Sequence, residues 1–472
     1  MASTPWMVLG LTLITAIALA EPIRLHPENP HYFLFRGQPE VLITSGEHYG
    51  AVLNLDFDYT RYLDTLAADG LNNTRTFVGS YCEPDGAFKI ARNTLAPTAG
   101  RFICPWARSN VQGYSNGGNK FDLTRWDEDY FARLHDFLAK ASDRGIVVEI
   151  NLFCPFYGDA QWQLSPMNTI NNINGIGTVS REQAYAVDGE AALLGVQEAM
   201  TREIVTRLNG YDNIYFEIMN EPYIRGVPDT WERRIADVIA DTERSLPNRH
   251  IISQNIANGK KQVTDPHPAV SLLNFHYAFP PVTVAMNYDL GLAIGDNETG
   301  FKGTGDDHYR IEGWAFILAG GALYNNLDYS FAVGHEGGTF QYPDTQPGGG
   351  TAALRRSLRA LYQFMRGFDF IRMAPTPNVI AGGLPNGVSA SVLAEEGKQH
   401  AIYLYGDPKA PTSRRAQLIL TLPAGEYWAA WVDPLNGEVI ENSRFAHTGA
   451  EAKLASPEFS LDVALNLRRL GE

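Results

Sequence analysis

The chain has 472 residues, of which 44% are hydrophobic and 19% charged, and its formal net charge is −15. This composition excludes a disordered chain and allows one large globular domain plus a smaller one. The acidic balance argues against nucleic acid or an anionic membrane surface as partner. Three cysteines, Cys82, Cys104 and Cys154, show no metal-ligand spacing with histidine, so neither a metal nor a cofactor is expected. In an exported chain Cys82 and Cys104 have the option of a disulfide, with three free thiols as the equal alternative.

Val8 to Ala20 is an apolar run too short for a comfortable membrane span, and Ala18-Leu19-Ala20 fits a small-x-small cleavage site. Residues 1–20 therefore read as a signal peptide, and the protein as secreted or periplasmic. No later segment reads as a membrane span. Tyr32–Phe35 and Val41–Thr44 are predicted strands around the turn Arg36-Gly37-Gln38-Pro39. The second is barrel strand one and ends at Glu47-His48-Tyr49. Tyr59, Tyr62, Leu63, Leu66 and Ala67 then mark one face of a helix that Gly70 stops. Leu71–Phe77 is strand two. A helix with apolar Tyr130, Leu134, Phe137, Leu138 and Ala141 leads through Gly145 into strand three, Ile146–Phe153.

The alternation persists. Ala191–Leu208 is helical, and Asn213–Met219 is strand four, running into Asn220-Glu221-Pro222. Asp229 with Glu232 resembles a capping box for a helix with Trp231, Ile235, Val238 and Ile239 inside. His250–Gln254, Val270–Tyr277, Leu292–Glu298 and Ala322–Asp328 are strands five to eight, with an irregular crossover between six and seven. The closing helix carries Leu354, Leu358, Leu361, Tyr362 and Met365. Eight strands with crossovers predict a (β/α)8 barrel over residues 21–375. Beyond it the pattern turns to hairpins: Ser389–Leu393, Ala401–Tyr405, Leu418–Leu422 and Tyr427–Val432 predict a small antiparallel β-sandwich over residues 376–472.

Active sites of such barrels sit at the strand C-termini. Glu221 ends strand four and Glu298 ends strand seven, and two carboxylates across a barrel mouth are what retaining glycosidic cleavage requires. Glu221 is the expected acid/base, its pKa raised by burial beside the other carboxylate, and Glu298 the expected nucleophile. Asn220 is placed to bond the sugar 2-hydroxyl. Arg75 is a candidate for the site and also, by strand alternation, for pairing the buried Glu217. Two long loops, residues 78–120 and 154–189, carry Trp106, Tyr114, Phe156, Tyr157 and Trp162. Each aromatic either pins its own loop or stacks on sugar, and Trp106 and Trp162 are taken as substrate contacts. Loops raised on one side of the mouth favour attack at chain ends or on short oligosaccharides.

The constellation Arg75, Asn220-Glu221-Pro222, His276-Tyr277 and Glu298 resembles the cellulase-like family 5 barrels of the clan A glycoside hydrolases, over roughly residues 40–370. The resemblance implies that Glu221 is acid/base, Glu298 nucleophile, and that His276 and Tyr277 line the subsite of the attacked sugar, Tyr277 touching the nucleophile. Two positions depart from the family pattern. Phe153-Cys154-Pro155 replaces the usual His after strand three, and Asp328-Tyr329-Ser330-Phe331 replaces the usual Trp after strand eight. Strand one, with Glu47 and His48 as further candidate substrate contacts, ends in an unusually polar set. The expected function is a secreted, retaining β-glycosidase acting on a plant, algal or microbial glycan. A non-catalytic glycan-binding barrel and a transglycosylase using the same residues are the alternatives.

Overall fold

The computed structural model describes residues 21–449 and 451–471. The expected signal peptide lies outside the described residues. Eight parallel strands form the barrel: β1 (Leu42–Gly46), β2 (Asn73–Phe77), β3 (Val147–Asn151), β4 (Ile214–Glu217), β5 (Ile252–Asn258), β6 (Val270–His276), β7 (Ala293–Thr299) and β8 (Leu323–Leu327). Their ladder runs β1-β8-β7-β6-β5-β4-β3-β2. The seam between β1 and β2 is closed by a side chain. The Asn72 amide accepts from Ile43 N at 2.8 Å and donates to Val41 O at 2.8 Å, supplying both halves of a missing ladder rung.

The outer helices follow from their sequence faces. In α1 (Tyr59–Ala68) the predicted Tyr59, Tyr62, Leu63 and Leu66 are buried, Asp58 caps the Thr60 and Arg61 amides, and Gly70 follows at φ 72°. In α2 (Glu128–Asp143) all five predicted apolar residues are buried and Asp127 caps Tyr130 N. Helices α3 (Ala191–Leu208) and α4 (Asp229–Arg244) come next. The capping box expected at α4 is absent. Pro228 is the cap, Asp229 lies inside the first turn, where it pairs with Arg233 at 2.6 Å, and Glu232 is buried. The irregular crossover from β6 to β7 holds only the six-residue α5 (Val282–Asn287) before a single 3-10 turn. Every residue of α6 (Asp306–Leu318) from Tyr309 onward is buried. A helix apolar all round needs cover on two sides, and the barrel and the C-terminal sandwich supply it. The closing helix is α7 (Ala352–Arg366).

The sandwich is antiparallel. Its larger sheet pairs β9 (Ala374–Pro375), β11 (Ser389–Glu395), β12 (Gln399–Tyr405), β17 (Asp462–Leu470), β14 (Gly425–Val432) and β15 (Val439–His447), in that order. The smaller pairs β10 (Ile380–Gly382), β13 (Gln417–Thr421) and β16 (Glu451–Ala455). Alternation along β12 divides two cores. Ile402 and Leu404 pack with Leu418, Leu420 and Trp431 between the sheets, while Ala401, Tyr403 and Tyr405 join the barrel core. Trp314 of α6 stacks on Tyr403 at 5.4 Å, and Arg310 of α6 reaches Asp462 of β17 with two hydrogen bonds of 2.9 and 3.0 Å. No helix among the described residues is long and apolar enough to cross a membrane. Cys82, Cys104 and Cys154 are all buried free thiols, so the disulfide alternative is set aside.

A short antiparallel meander, Arg24–Leu25, Phe33–Phe35 and Gln38–Glu40, precedes the barrel. It bonds Asp212 and Ser142, which lie just before β4 and β3. That places it at the N-terminal end of the barrel, opposite the strand ends that carry the candidate site.

Candidate active site

At the strand C-termini a cavity of about 320 Å3 is lined by His48, Tyr49, Glu83, Phe88, Tyr157, Asn220, Glu221, Tyr277, Glu298 and Phe301, among others. The β4 ladder ends at Glu217, two residues before the predicted end, and the chain then reaches Glu221 in a left-handed conformation, φ 39°. That conformation is costly for a residue with a Cβ. It is fixed by hydrogen bonds on both sides, from Asn220 N to Phe153 O at 2.9 Å and from Glu221 N to Asn255 Oδ1 at 3.2 Å. Glu298 is the penultimate residue of β7. Between β6 and β7 the register slips at Phe275/His276, and between β7 and β8 after Asp296, so bulges re-aim the side chains at the mouth.

One oxygen of Glu221, one of Glu298 and a ring nitrogen of His276 lie within 4.8 Å of one another. His276 Nδ1 is 3.1 Å from Glu221 Oε1 and 3.6 Å from Glu298 Oε1. Tyr157 donates to Glu221 Oε2 at 2.6 Å, and Tyr277 donates to Glu298 Oε1 at 2.8 Å. Asn220 donates to the Tyr157 hydroxyl at 2.9 Å, and its own carbonyl oxygen is buried without a partner. A hydroxyl of a bound ligand could satisfy it. Among the described residues this trio is also the one group dense enough in carboxylate and imidazole to hold a cation. Each carboxylate, however, is already engaged by protein donors.

The electrostatics differ from the expectation of a raised Glu221. Burial pushes its pKa up, but hydrogen bonds from His276 and Tyr157 and the charges of His276 and Arg75 outweigh that, and the net direction is down. Burial likewise opposes charge on His276, yet Glu298 and Glu221 raise its pKa above the ordinary value. The proton of this cluster therefore rests on the imidazole, within hydrogen-bond reach of Glu221.

Under this floor lies a buried ionic layer. Arg75 pairs with Glu149 and Glu217 and donates from Nη1 to Glu298 Oε2 at 3.2 Å. Glu217 further accepts from Asn151, Asn274 and Asn297, and Glu149 from Tyr215 and Asn297. Burial and the neighbouring Glu149 carry the pKa of Glu217 up to about 7 against the pull of Arg75. The pairing of Arg75 with Glu217 expected from strand alternation is present. Arg75 sits inside β2, though, and does not line the cavity, so it positions Glu298 and is set aside as a substrate contact.

Three other expected contacts also move. Trp106 is wholly buried at the start of the hairpin Trp106–Gln112/Asn119–Trp126, away from the cavity. Trp162 packs on Phe156 and donates to Val179 O at 3.1 Å, pinning its own loop. Glu47 faces inward, accepting from Gly50 N, Ala51 N and Thr94. His48 does line the cavity. Glu83, Phe88, Asn258 and Phe301 line it without having been singled out from sequence, because all four lie in or beside loops where no periodicity marks an inward face.

Residues 62–276 match the cellulase family (glycosyl hydrolase family 5), a stretch that includes Arg75, Asn220 and Glu221 and ends on His276. No curated protein matches the chain by sequence. Solved structures share the fold at low identity. A candidate glycoside hydrolase from Bacteroides vulgatus ATCC 8482 superposes with TM-score 0.65 at 10% identity, covering 96% of this chain and 83% of its own. A family 5 glycoside hydrolase from the same organism gives 0.61 at 12%, covering 96% and 93%. A family 5 mannosidase from Rhizomucor miehei gives 0.50 at 12%, covering 74% and 99%. The chain thus carries a stretch that matches glycosyl hydrolase family 5, set in a (β/α)8 barrel that is followed by an antiparallel β-sandwich.

Proposed function

We propose that the protein is an exported, retaining β-glycosidase that hydrolyses O-glycosidic bonds of a plant, algal or microbial glycan by double displacement. The observation that carries this reading is the approach of the Glu221 and Glu298 carboxyls to within 4.8 Å. Retaining enzymes hold their carboxyls about 5–5.5 Å apart, whereas inverting enzymes leave about 6.5–9.5 Å for a water. Glu298, oriented by Tyr277 and Arg75, attacks the anomeric carbon. Glu221 protonates the departing oxygen, drawing the proton that His276 holds at its Oε1, and then deprotonates the water that releases the sugar from Glu298. The unpartnered Asn220 oxygen accepts from the 2-hydroxyl, a bond that strengthens in the transition state. The apolar Val8–Ala20 segment supports export.

Trapping tests the assignment. A 2-deoxy-2-fluoro aryl glycoside should label Glu298, read by mass spectrometry of the digest. Glu221→Gln should still form that adduct from activated aryl glycosides, which need little protonation, yet fail on poor leaving groups. A label on any other residue refutes these roles.

A further inference from the structure

The mechanism leaves two charged groups in the cavity wall unused. His48 follows β1 and Glu83 follows β2; the His48 Nε2 is 3.6 Å from Glu83 Oε2, and their side chains are 11% and 3% exposed. Both imidazole nitrogens are buried with no hydrogen-bond partner in the protein. Each oxygen of Glu83 has one donor, from Tyr81 at 3.0 Å and from Asn93, which leaves lone pairs on both. A buried carboxylate and imidazole held side by side in a pocket, with bonding capacity unspent, match the adjacent hydroxyls of a sugar.

Their place round the mouth says which part of the sugar they meet. Glu221 follows β4, Glu298 lies on β7, and β1 and β2 complete the circle on the far side. The leaving group must lie beside Glu221. A pyranose with its anomeric carbon on Glu298 therefore extends its C4 edge away from Glu221, toward β1 and β2. The wall there is braced. Glu47 holds Thr94, Asn54 holds the Thr94 carbonyl at 3.0 Å, and Glu83 N bonds Leu95 O at 2.8 Å. A Cβ on Gly50 would lie 2.2 Å from the Thr94 carbonyl oxygen, so the two loops are in direct contact. Glu83 also lines a second cavity, of about 660 Å3.

Resting on the retaining glycosidase reading, we propose that His48 and Glu83 form a specificity-determining end wall that binds the C4-side hydroxyls of a non-reducing terminal sugar and confines cleavage to chain ends. The test uses 4-nitrophenyl β-D-glucoside, its C4 epimer the galactoside and its C2 epimer the mannoside. The proteins are the wild type, Glu83→Gln, Glu83→Ala and His48→Gln, with thermal unfolding confirming that each is folded. The wild type should prefer one C4 epimer by about 100-fold or more in kcat/KM, because a site built around a hydroxyl rejects its misplacement strongly. Glu83→Gln or Glu83→Ala should shrink that preference at least threefold while leaving the C2 preference, set beside Asn220, within twofold. A smaller change in both Glu83 variants, an equal change at C2 and C4, or a wild type that turns over none of the three overturns the end wall. Trapping separates the two readings. An unlabelled Glu298 with the C4 result intact would sink the mechanism alone, and a labelled Glu298 with no C4 effect would sink the end wall alone.

Discussion

The barrel mouth and the C-terminal sandwich were built by one chain under the same local rules, and they part company in backbone conformation. Among the described residues, every left-handed position in the sandwich is a glycine, and its strands pair in continuous register apart from slips at Ile380/Gly382 and Trp431/Val432. All seven non-glycine residues with positive φ lie in the barrel half, and Tyr49, Phe88, Glu221 and Tyr277 among them line the cavity. Each costs on the order of 1 kcal/mol or more. Orphaned buried polar atoms occur in both regions, on Asn220 and His48 at the mouth and on His400 and Arg414 in the sandwich. Four of the seven strained residues thus lie where side chains are aimed at the cavity, while the sandwich covers α6 and adds core.

The sharpest way to break that contrast is Arg75→Met. Removing the guanidinium leaves Glu149, Glu217 and Glu298 without their shared counter-charge in a buried layer. Loss of about 3–5 kcal/mol of stability is expected, together with a fall in kcat/KM of about 100-fold or more as Glu298 loses its fixed geometry. Thermal unfolding and kinetics at one temperature measure both. Full activity in a merely destabilised variant would mean that the ionic layer supports the barrel without orienting the site.

Asp462→Ala breaks a buried pair of similar standing at the sandwich interface. Arg310 would keep Asp307 at 2.6 Å but lose both bonds to Asp462. About 3 kcal/mol of stability should go, with kcat/KM within twofold of the wild type well below the unfolding transition. An equal loss of activity would show that the sandwich shapes the mouth through α6, and the division of labour between mouth and sandwich would fail.

Glu47→Gln probes the brace behind the end wall through pH. Burial pushes Glu47 up to about 7 against the hydrogen bonds from Thr94, Gly50 and Ala51. Below pH 4.5 the group is protonated whether folded or not. As pH rises from there to 7 the unfolded chain ionises while the fold resists, so native stability falls by at most about 3 kcal/mol and then levels off. The glutamine variant lacks this loss. Wild-type Tm minus variant Tm should therefore become more negative by about two to three degrees between pH 4.5 and 8. Glu40, Glu217 and Glu232 bend the absolute curves the same way, but both proteins carry them and they cancel in the difference. A difference that stays flat with pH would mean that Glu47 is ionised throughout.

How much of the molecule is legible in the sequence follows the same division. Barrel strands announce themselves as β-branched runs after Gly-terminated helices, so the positions of Glu221, Glu298, His276 and Tyr277 at one mouth can be read from strand ends. Period-two alternation also yields the Arg75–Glu217 pair. Loops carry no such period. Trp106 and Trp162 are misplaced by sequence because an aromatic in a loop does not reveal which side it turns to, and both turn into their own loop's core. Phe88 escapes notice because its backbone is left-handed at a non-glycine residue, φ 54°, which no residue type signals, and Glu83 because its loop carries no period. The direction of the Glu221 pKa is misjudged because burial is visible in the strand pattern whereas the donors His276 and Tyr157, 55 and 64 residues away in sequence, are not.

Tyr157→Phe gives the smallest effect and the most local one. The hydroxyl donates to Glu221 Oε2 and accepts from Asn220, so its loss removes one of the donors that hold the Glu221 pKa down. A carboxylate that loses a hydrogen bond to its charged form becomes easier to protonate. Glu221 must be protonated to act as acid, so the basic limb of kcat/KM should move to higher pH, by about half to one unit, while the rate at the optimum falls about tenfold or less. Stability should change by about 1 kcal/mol or less, since the ring's contacts with Tyr81 and Phe88 remain. The measurement is kcat/KM across pH on an unactivated glycoside, for which proton donation limits the rate. A basic limb that stays in place would show that Tyr157 positions the acid without tuning it. A shift to lower pH would mean that the limb belongs to His276, whose proton is then lost first.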